Sequence, residues 1–238
     1  ASDVYKRQAQ CGVCSRRDAD KLIEQGKVLV NGQVAGMGQQ VEETDTVQVG
    51  KKILQGKQTQ KVLAFYKPVG VTCTERDPHA EKKIMDMIRY PERLTYAGRL
   101  DKDSEGLILL TNDGDLINAM MRGANRHEKE YIVKTDREIT PDFLEKMAKG
   151  IYLKDLDITT RECEIEQIGK FTFRIVLTQG VNRQIRRMCE ACGYRVKALK
   201  RIRIMNILLG DLKPGKWREV TGEELEQLQR DTGMLNRN

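Results

Sequence analysis

The stretch Tyr96-Ala97-Gly98-Arg99-Leu100-Asp101-Lys102-Asp103-Ser104-Glu105-Gly106-Leu107-Ile108-Leu109-Leu110-Thr111-Asn112-Asp113-Gly114 governs the reading of the chain. Two glycines, Gly98 and Gly106, bracket a charged loop that runs straight into the apolar run Leu107 to Leu110. A short apolar run bounded by turn residues reads as a buried strand. A loop anchored on a buried strand is where a rigid scaffold displays reactive groups, and Asp101 is the candidate. The plainer alternative is that Asp101 caps a turn. Asp101, Asp103, Glu105 and Gly106 also mimic the first half of a calcium loop. The position that needs a bidentate Glu is Asn112, however, and a strand follows where a helix should.

Outward from this loop the chain alternates strands and helices without repeats. Val62 to Tyr66 reads as a strand, Gly106 to Thr111 as a buried one, and Asp115 to Met121 as a helix. Glu130 to Thr135 reads as a strand, and Thr140 to Lys149 as a helix capped by Thr140 with Pro141 in its first position. Phe171, Phe173, Ile175 and Leu177 alternate with more polar neighbours, a strand with unequal faces. Upstream, Ser15-Arg16-Arg17-Asp18 is a capping signal for a helix whose apolar face is Ala19, Leu22 and Ile23, ended by Gly26. Val28-Leu29-Val30 then meets the turn dipeptide Asn31-Gly32, and Val47-Gln48-Val49 is a further short strand. The fold class is α+β: a small αβ domain over 9–54, a polar linker at 55–60, and a domain over 61–230 with a mostly antiparallel mixed sheet flanked by helices. Residues 1–8 show no periodicity and are set aside as a non-native or truncated start. Residues 231–238 are a tail.

Composition bounds what such a chain does. With 238 residues, 39% hydrophobic and 32% charged, it has the makeup of an ordinary water-soluble protein. No run approaches the ~18 apolar residues of a membrane span, and no signal peptide is recognisable, so no membrane partner and a cytoplasmic location are expected. The net charge is +7. It is unevenly spread: residues 171–218 hold twelve Lys/Arg against Glu190 and Asp211, an excess of 12 − 2 = 10. Such asymmetry points to a polyanion partner, with a merely solvated surface as the alternative. The six cysteines are expected as free thiols. Cys11-x-x-Cys14 and Cys189-x-x-Cys192 do have zinc-ligand spacing, which keeps open a zinc-stabilised nucleic-acid-binding protein.

The most basic segment runs from Gln179 to Tyr194. Asn182 can cap a helix there and Gly193 can stop it. Ile185, Met188, Cys189 and Cys192 share one face, which explains both cysteines as core. Arg183, Arg187 and Glu190 fall on the other face, with Arg186 near the boundary. The arginine face suits phosphate groups. In His127-Glu128-Lys129-Glu130-Tyr131, the tyrosine enters a strand; by residue type alone it is packing.

Gly98-Arg99-Leu100-Asp101 with Ser104 and Gly106-Leu107, Lys129-Glu130-Tyr131, and Asn182-Arg183-Gln184-Ile185-Arg186-Arg187-Met188 occur in this order. Together they resemble the pseudouridine synthases that modify single uridines of small- or large-subunit ribosomal RNA. The resemblance runs from about Cys11 to Leu228. Residues 11–50 look like the family's amino-terminal S-four RNA-binding domain, although 1–8 lacks the leucines of its usual first helix. Arg203-Ile204-Met205-Asn206 and Gly215-Lys216-Trp217-Arg218 resemble the large-subunit subgroup that recognises a bulged stem-loop.

The resemblance implies isomerisation of uridine to pseudouridine without cofactor or metal, on ribosomal RNA, with tRNA open as a second substrate; a monomer is the default expectation. It implies Asp101 as the catalytic carboxylate and Tyr131 as the residue that stacks on uracil. It nominates Arg186 as the cationic partner that offsets desolvation of Asp101. It implies RNA contacts by Arg99, Leu100, Lys102, Asn182, Arg183, Gln184 and Arg187, and by Arg16 and Arg17 of the small domain, with Arg99 and Arg183 on phosphates. A non-catalytic RNA-binding protein of ribosome assembly is the alternative.

Overall fold

The structure is a computed structural model that describes residues 2–10, 12–42, 44–54, 59–74 and 83–235. It divides into two units: one of residues 1–61 with 90–95 and 111–114, the other of the remaining chain.

The first unit runs β1 (Ser2–Asp3), α1 (Val4–Gln10), α2 (Arg16–Glu24), β2 (Val28–Val30), β3 (Gln33–Val34), β4 (Gln40–Val41), β5 (Val47–Val49) and β6 (Lys52–Ile53). α2 begins where the capping signal lies: the Ser15 hydroxyl accepts from the Asp18 amide at 3.1 Å and donates to its carboxylate at 2.8 Å. At the β2–β3 turn Asn31 and Gly32 both take positive φ, +50° and +81°. That is the twist a two-residue hairpin needs. The order of the small sheet is β3-β2-β5-β6. Its core joins Ile23 of α2 to Val28, Val30, Val41, Val47 and Leu54. Val4 belongs to the same core and is 1% exposed, so residues 4–8, which show no sequence periodicity, are nonetheless part of the fold. A single seven-residue helix offers too few apolar positions to show a period. Residues 55–58 of the expected linker and Cys11 lie outside the described residues.

The second unit contains β7 (Val62–Lys67), α3 (Ile84–Met87), β8 (Thr95–Ala97), β9 (Glu105–Thr111), α4 (Gly114–Met121), β10 (Lys129–Thr135), α5 (Pro141–Lys149), β11 (Tyr152–Leu153), β12 (Ile158–Thr159), β13 (Glu164–Gly169), β14 (Thr172–Leu177), α6 (Gln184–Ala191), β15 (Val196–Ile204), β16 (Ile207–Leu208), β17 (Trp217–Glu219) and α7 (Gly222–Asp231). Its nine-stranded sheet has the order β13-β14-β10-β15-β9-β7-β17, with β16 on β15 and β8 on β9. The β10–β14, β10–β15, β13–β14, β15–β16 and β7–β17 pairs are antiparallel, whereas β9 and β15 run parallel. β7 and β9 lie inside the sheet, which accounts for their near-continuous apolar sequence.

Two of the buried clusters on the sheet involve its helices. One packs Val62, Ala64, Leu107 and Leu109 with Leu116 and Met120 of α4 and Leu228 of α7. The other packs Val133, Phe173, Ile175 and Leu199 with Phe143 and Met147 of α5 and Ile185, Met188 and Cys189 of α6. α5 starts as expected, the Thr140 hydroxyl accepting from the Phe143 amide at 3.1 Å ahead of Pro141. Two expectations are corrected. Asp231 closes α7 and Met234 packs in the first core, so 231–235 is not a tail. Asn182 does not cap α6: the cap position is Arg183, in the left-handed conformation with φ 49° and ψ 38°.

Candidate active site

The loop between β8 and β9 carries Asp101, and the cap residue and first turn of α6 supply the arginines that meet it. Asp101 keeps 39% of its side chain exposed, and a carboxylate oxygen lies 3.3 Å from Nη1 of Arg183. The same guanidinium donates in a fork to both oxygens of Asp103, at 3.1 and 2.9 Å. Bidentate pairing of this kind is the strong geometry for an arginine and a carboxylate. It holds the Asp103 carboxyl below the usual carboxylate range, with the nearby charge of Arg186 helping and partial burial opposing. The left-handed backbone at Arg183, uncommon for a non-glycine residue, lies at this cluster, where local strain tends to concentrate.

Arg186 is more deeply set, with 13% of its side chain exposed. Its Nη2 donates to the Asp103 carbonyl at 3.0 Å and to the Ser104 hydroxyl at 3.1 Å, and Nη1 lies 3.5 Å from an Asp103 carboxylate oxygen. The expectation that Arg186 is the partner of Asp101 is therefore corrected. Arg183 pairs with Asp101, while Arg186 grips the backbone and side chains two and three residues further on. One helix turn separates the two arginines, and the left-handed start of α6 turns the earlier one to the nearer carboxylate. Arg183 was also expected on a phosphate; here it is engaged by two carboxylates.

Beneath the loop lie groups that motif reading passed over. Lys67, at the end of β7, is 0% exposed. Its three N–H donors meet three carbonyls: Pro68 and Val71, both at 2.7 Å, and Lys102 at 3.4 Å. Burial pulls its ammonium down to about 8, against the raising influence of Cys73, Asp101, Asp103 and Glu105. The Gly70 amide donates to the same Lys102 carbonyl at 2.7 Å. The Cys73 thiol donates to the Leu100 carbonyl at 3.3 Å. The one available signal for Lys67 was a lysine closing an otherwise apolar strand, VLAFYK, just before Pro68 and Gly70.

Tyr131 is half-buried on β10, paired in register with Ile175 on one side and Arg201 on the other. It packs against the core under α5 and α6. Among the expected RNA contacts, Arg99, Lys102 and Asn182 are exposed and Arg187 is half-buried. Arg187 folds back onto Asn182, donating to its backbone and side-chain oxygens at 2.9 and 3.1 Å. Leu100 and Gln184 are only 8% and 5% exposed, so their side chains serve the interior, and the expectation that they touch RNA is corrected. Gln184 donates to the Gln179 side chain at 3.2 Å and leans on the Met188 sulfur at 3.7 Å. Arg16 and Arg17 start α2 in the first unit, half-buried and exposed respectively.

Of the cysteines with zinc-ligand spacing, Cys11 lies outside the described residues. Cys189 is buried in the second core and its thiol is pushed up to about 12 by burial; Cys192 packs beside that core. Among the described residues no group of three or more His, Cys, Asp or Glu gathers as a metal site, and no helix is long and apolar enough to cross a membrane.

Residues 61–191 match the family model described as RNA pseudouridylate synthase, and residues 9–47 match the S4 domain. The chain is 45% identical over 227 residues to the dual-specificity RNA pseudouridine synthase RluF of Escherichia coli (strain K12), covering 94% of this chain and 77% of that protein. It is 33% identical over 243 residues to the ribosomal large subunit pseudouridine synthase B of Pseudomonas aeruginosa, covering 97% of this chain and 62% of the relative. A crystal structure of a pseudouridylate synthase superimposes with a TM-score of 0.71 at 27% identity, covering 96% of this chain and all of the other.

Proposed function

The chain belongs to the RNA pseudouridylate synthase family and isomerises uridine to pseudouridine in RNA, and on that premise we propose that Asp101 is its catalytic carboxylate. The carrying observation is the ion pair of Asp101 with Arg183, on a loop that Arg186 and Lys67 hold at its other residues.

The reaction breaks the bond from the sugar's anomeric carbon to uracil N1 and makes one from the same carbon to C5. C5 gives up its proton and N1 ends protonated, so atoms and electrons balance without an external oxidant. A carboxylate suits this chemistry, as nucleophile or as a fixed negative charge beside an electron-poor anomeric carbon. Arg183 keeps a cation beside that carboxylate when the substrate excludes water. Tyr131 offers a ring to stack on uracil and a phenolic oxygen that can take the C5 proton once its own proton has passed to solvent. Extruding a uridine from a helix costs a few kcal/mol, less where it is already bulged, so loops and bulges are the favoured targets.

Large-subunit ribosomal RNA is the proposed substrate, with a tRNA stem-loop as a second, since the relatives are named for large-subunit and dual-specificity activity. Arg16 and Arg17 of the S4 domain, with Arg99, Lys102, Asn182 and Arg187, are the proposed RNA contacts. A monomer in the cytoplasm is the proposed working form. The test is to incubate the protein with ribosomal RNA and tRNA lacking the modification and to map pseudouridine. Asp101→Asn should abolish product while RNA binding persists; product formed at the native rate would remove Asp101 from the chemistry.

A further inference from the structure

Arg201 is 3% exposed, and it sits on β15 between the two strands that carry the proposed machinery. On one side its register partner is Gly106 of β9, the first glycine after the Asp101 loop. On the other it is Tyr131 of β10. Directly paired residues project to the same face of a sheet, so the Arg201 and Tyr131 side chains rise together.

The guanidinium spends its donors on backbone. Nε donates to the Leu107 carbonyl at 2.7 Å, and Nη1 to the Arg99 carbonyl at 3.3 Å. Nη2 is buried and has no partner among the described residues. No carboxylate pairs with the group there either. Burying a guanidinium without a counter-charge is costly, and an apolar side chain of similar volume would fill the space more cheaply. What an apolar side chain cannot do is hold the Arg99 carbonyl, two residues before Asp101. Lys67 holds the Lys102 carbonyl, one residue after it. Asp101 thus lies between two carbonyls, each held from below by a buried cation.

Gly106 makes this reach possible. A Cβ there would lie 2.2 Å from the Arg201 carbonyl oxygen, so β9 and β15 approach this closely only with glycine.

We infer that Arg201 is a positioning residue that fixes the Asp101 loop over the strand bearing Tyr131, and so sets the distance between the carboxylate and the uracil face. The inference rests on the proposed role of Asp101. A displacement of about 1 Å at a reacting group can cost on the order of 10²-fold in rate. Arg201 touches no reacting atom, so its loss acts on kcat and not on RNA affinity.

The experiment compares the full-length protein with Arg201→Ala, Arg201→Lys and Asp101→Asn in single-turnover pseudouridine formation, in RNA-binding titrations and in thermal melts. Arg201→Ala is expected to lower kcat about 100-fold with RNA Kd within twofold, and Arg201→Lys to recover part of the loss. Guanidinium ion at millimolar concentration should restore kcat of Arg201→Ala at least tenfold and saturably, whereas sodium chloride of equal ionic strength should not. Should Arg201→Ala fail to fold, Arg201→Lys carries the same split between kcat and Kd. Native kcat in a folded Arg201 variant, loss of kcat matched by loss of affinity, or no guanidinium rescue in folded Arg201→Ala would each overturn the inference. An active Asp101→Asn would overturn the reading beneath it instead, so the two failures are distinct.

Discussion

Arg183 stands between two carboxylates, 3.3 Å from an oxygen of Asp101 and forked onto both oxygens of Asp103 at 3.1 and 2.9 Å. Its charge is therefore compensated before any RNA arrives. Arg183→Ala should lower kcat by about 10²-fold, the order seen when one preorganised electrostatic partner is lost. The salt dependence of RNA binding should change by less than the ~0.7 to 0.9 expected per lost phosphate contact. Salt titrations of native and variant protein decide the matter; a full-unit change would mean that Arg183 leaves the carboxylates for a phosphate.

Tyr131 is half-buried, with its ring against the second core. Tyr131→Phe keeps that packing and the stacking surface and removes only the hydroxyl. If the phenolic oxygen takes the C5 proton, kcat falls by about 10²- to 10⁴-fold while RNA affinity holds. Full single-turnover activity in the variant would assign the ring alone to the reaction.

Gly106→Ala is expected to be severe, since its Cβ would meet the Arg201 carbonyl at 2.2 Å and φ is +112°. Neither strand can withdraw without opening the parallel β9–β15 pair. A loss above about 3 kcal/mol follows, lowering Tm by roughly 6–12 °C for a protein of this size. Gly98→Ala is the control: its Cβ would meet only the flexible Met121 side chain, at 3.5 Å, and should cost about 1–2 kcal/mol through its positive φ. Melts of equal depth in the two variants would count against the close approach.

Lys67 carries the pH dependence. Its ammonium is lowered from 10.5 to about 8 by burial, so between those values the unfolded chain holds a proton that the folded protein has released. Stability then rises with pH through that window, and below about 8 the full burial cost of the charge, at most about 3 kcal/mol, is present. Relative to Lys67→Met, the native protein should gain stability between pH 7.5 and 10. Losing the proton also removes one of the three donors that hold loop carbonyls, so native kcat should decline over the same range. A stability difference independent of pH would show that Lys67 stays charged throughout.

Elements written in neighbouring residues were legible in the chain. The Ser15 cap and its Asp18 partner, the Asn31-Gly32 turn, and Thr140 ahead of Pro141 all act within three residues of themselves. The buried strand after Asp101 and the apolar face of α6 were likewise readable from their periods. The helix at Val4 was not, because seven residues with few apolar positions carry no period and only the core of the first unit gives Val4 a place. The Asn182 cap failed because nothing local announces a left-handed arginine, whose side chain meets Asp101 and Asp103 from another part of the chain.

By itself the sequence determined the charged loop at Asp101, the strand with Tyr131 and the basic helix, since each is a local pattern of glycine, charge and hydrophobic spacing. It did not determine which arginine serves which carboxylate, or that Lys67 and Arg201 lie buried beneath the loop. Arg183 meets Asp103 across 80 residues and Arg201 meets Leu107 across 94. Contacts over such separations depend on strand order and on how closely two backbones can approach, here set at Gly106. A buried cation is indistinguishable in sequence from a solvated one, and only the packed sheet removes its water and turns its donors onto the carbonyls around Asp101.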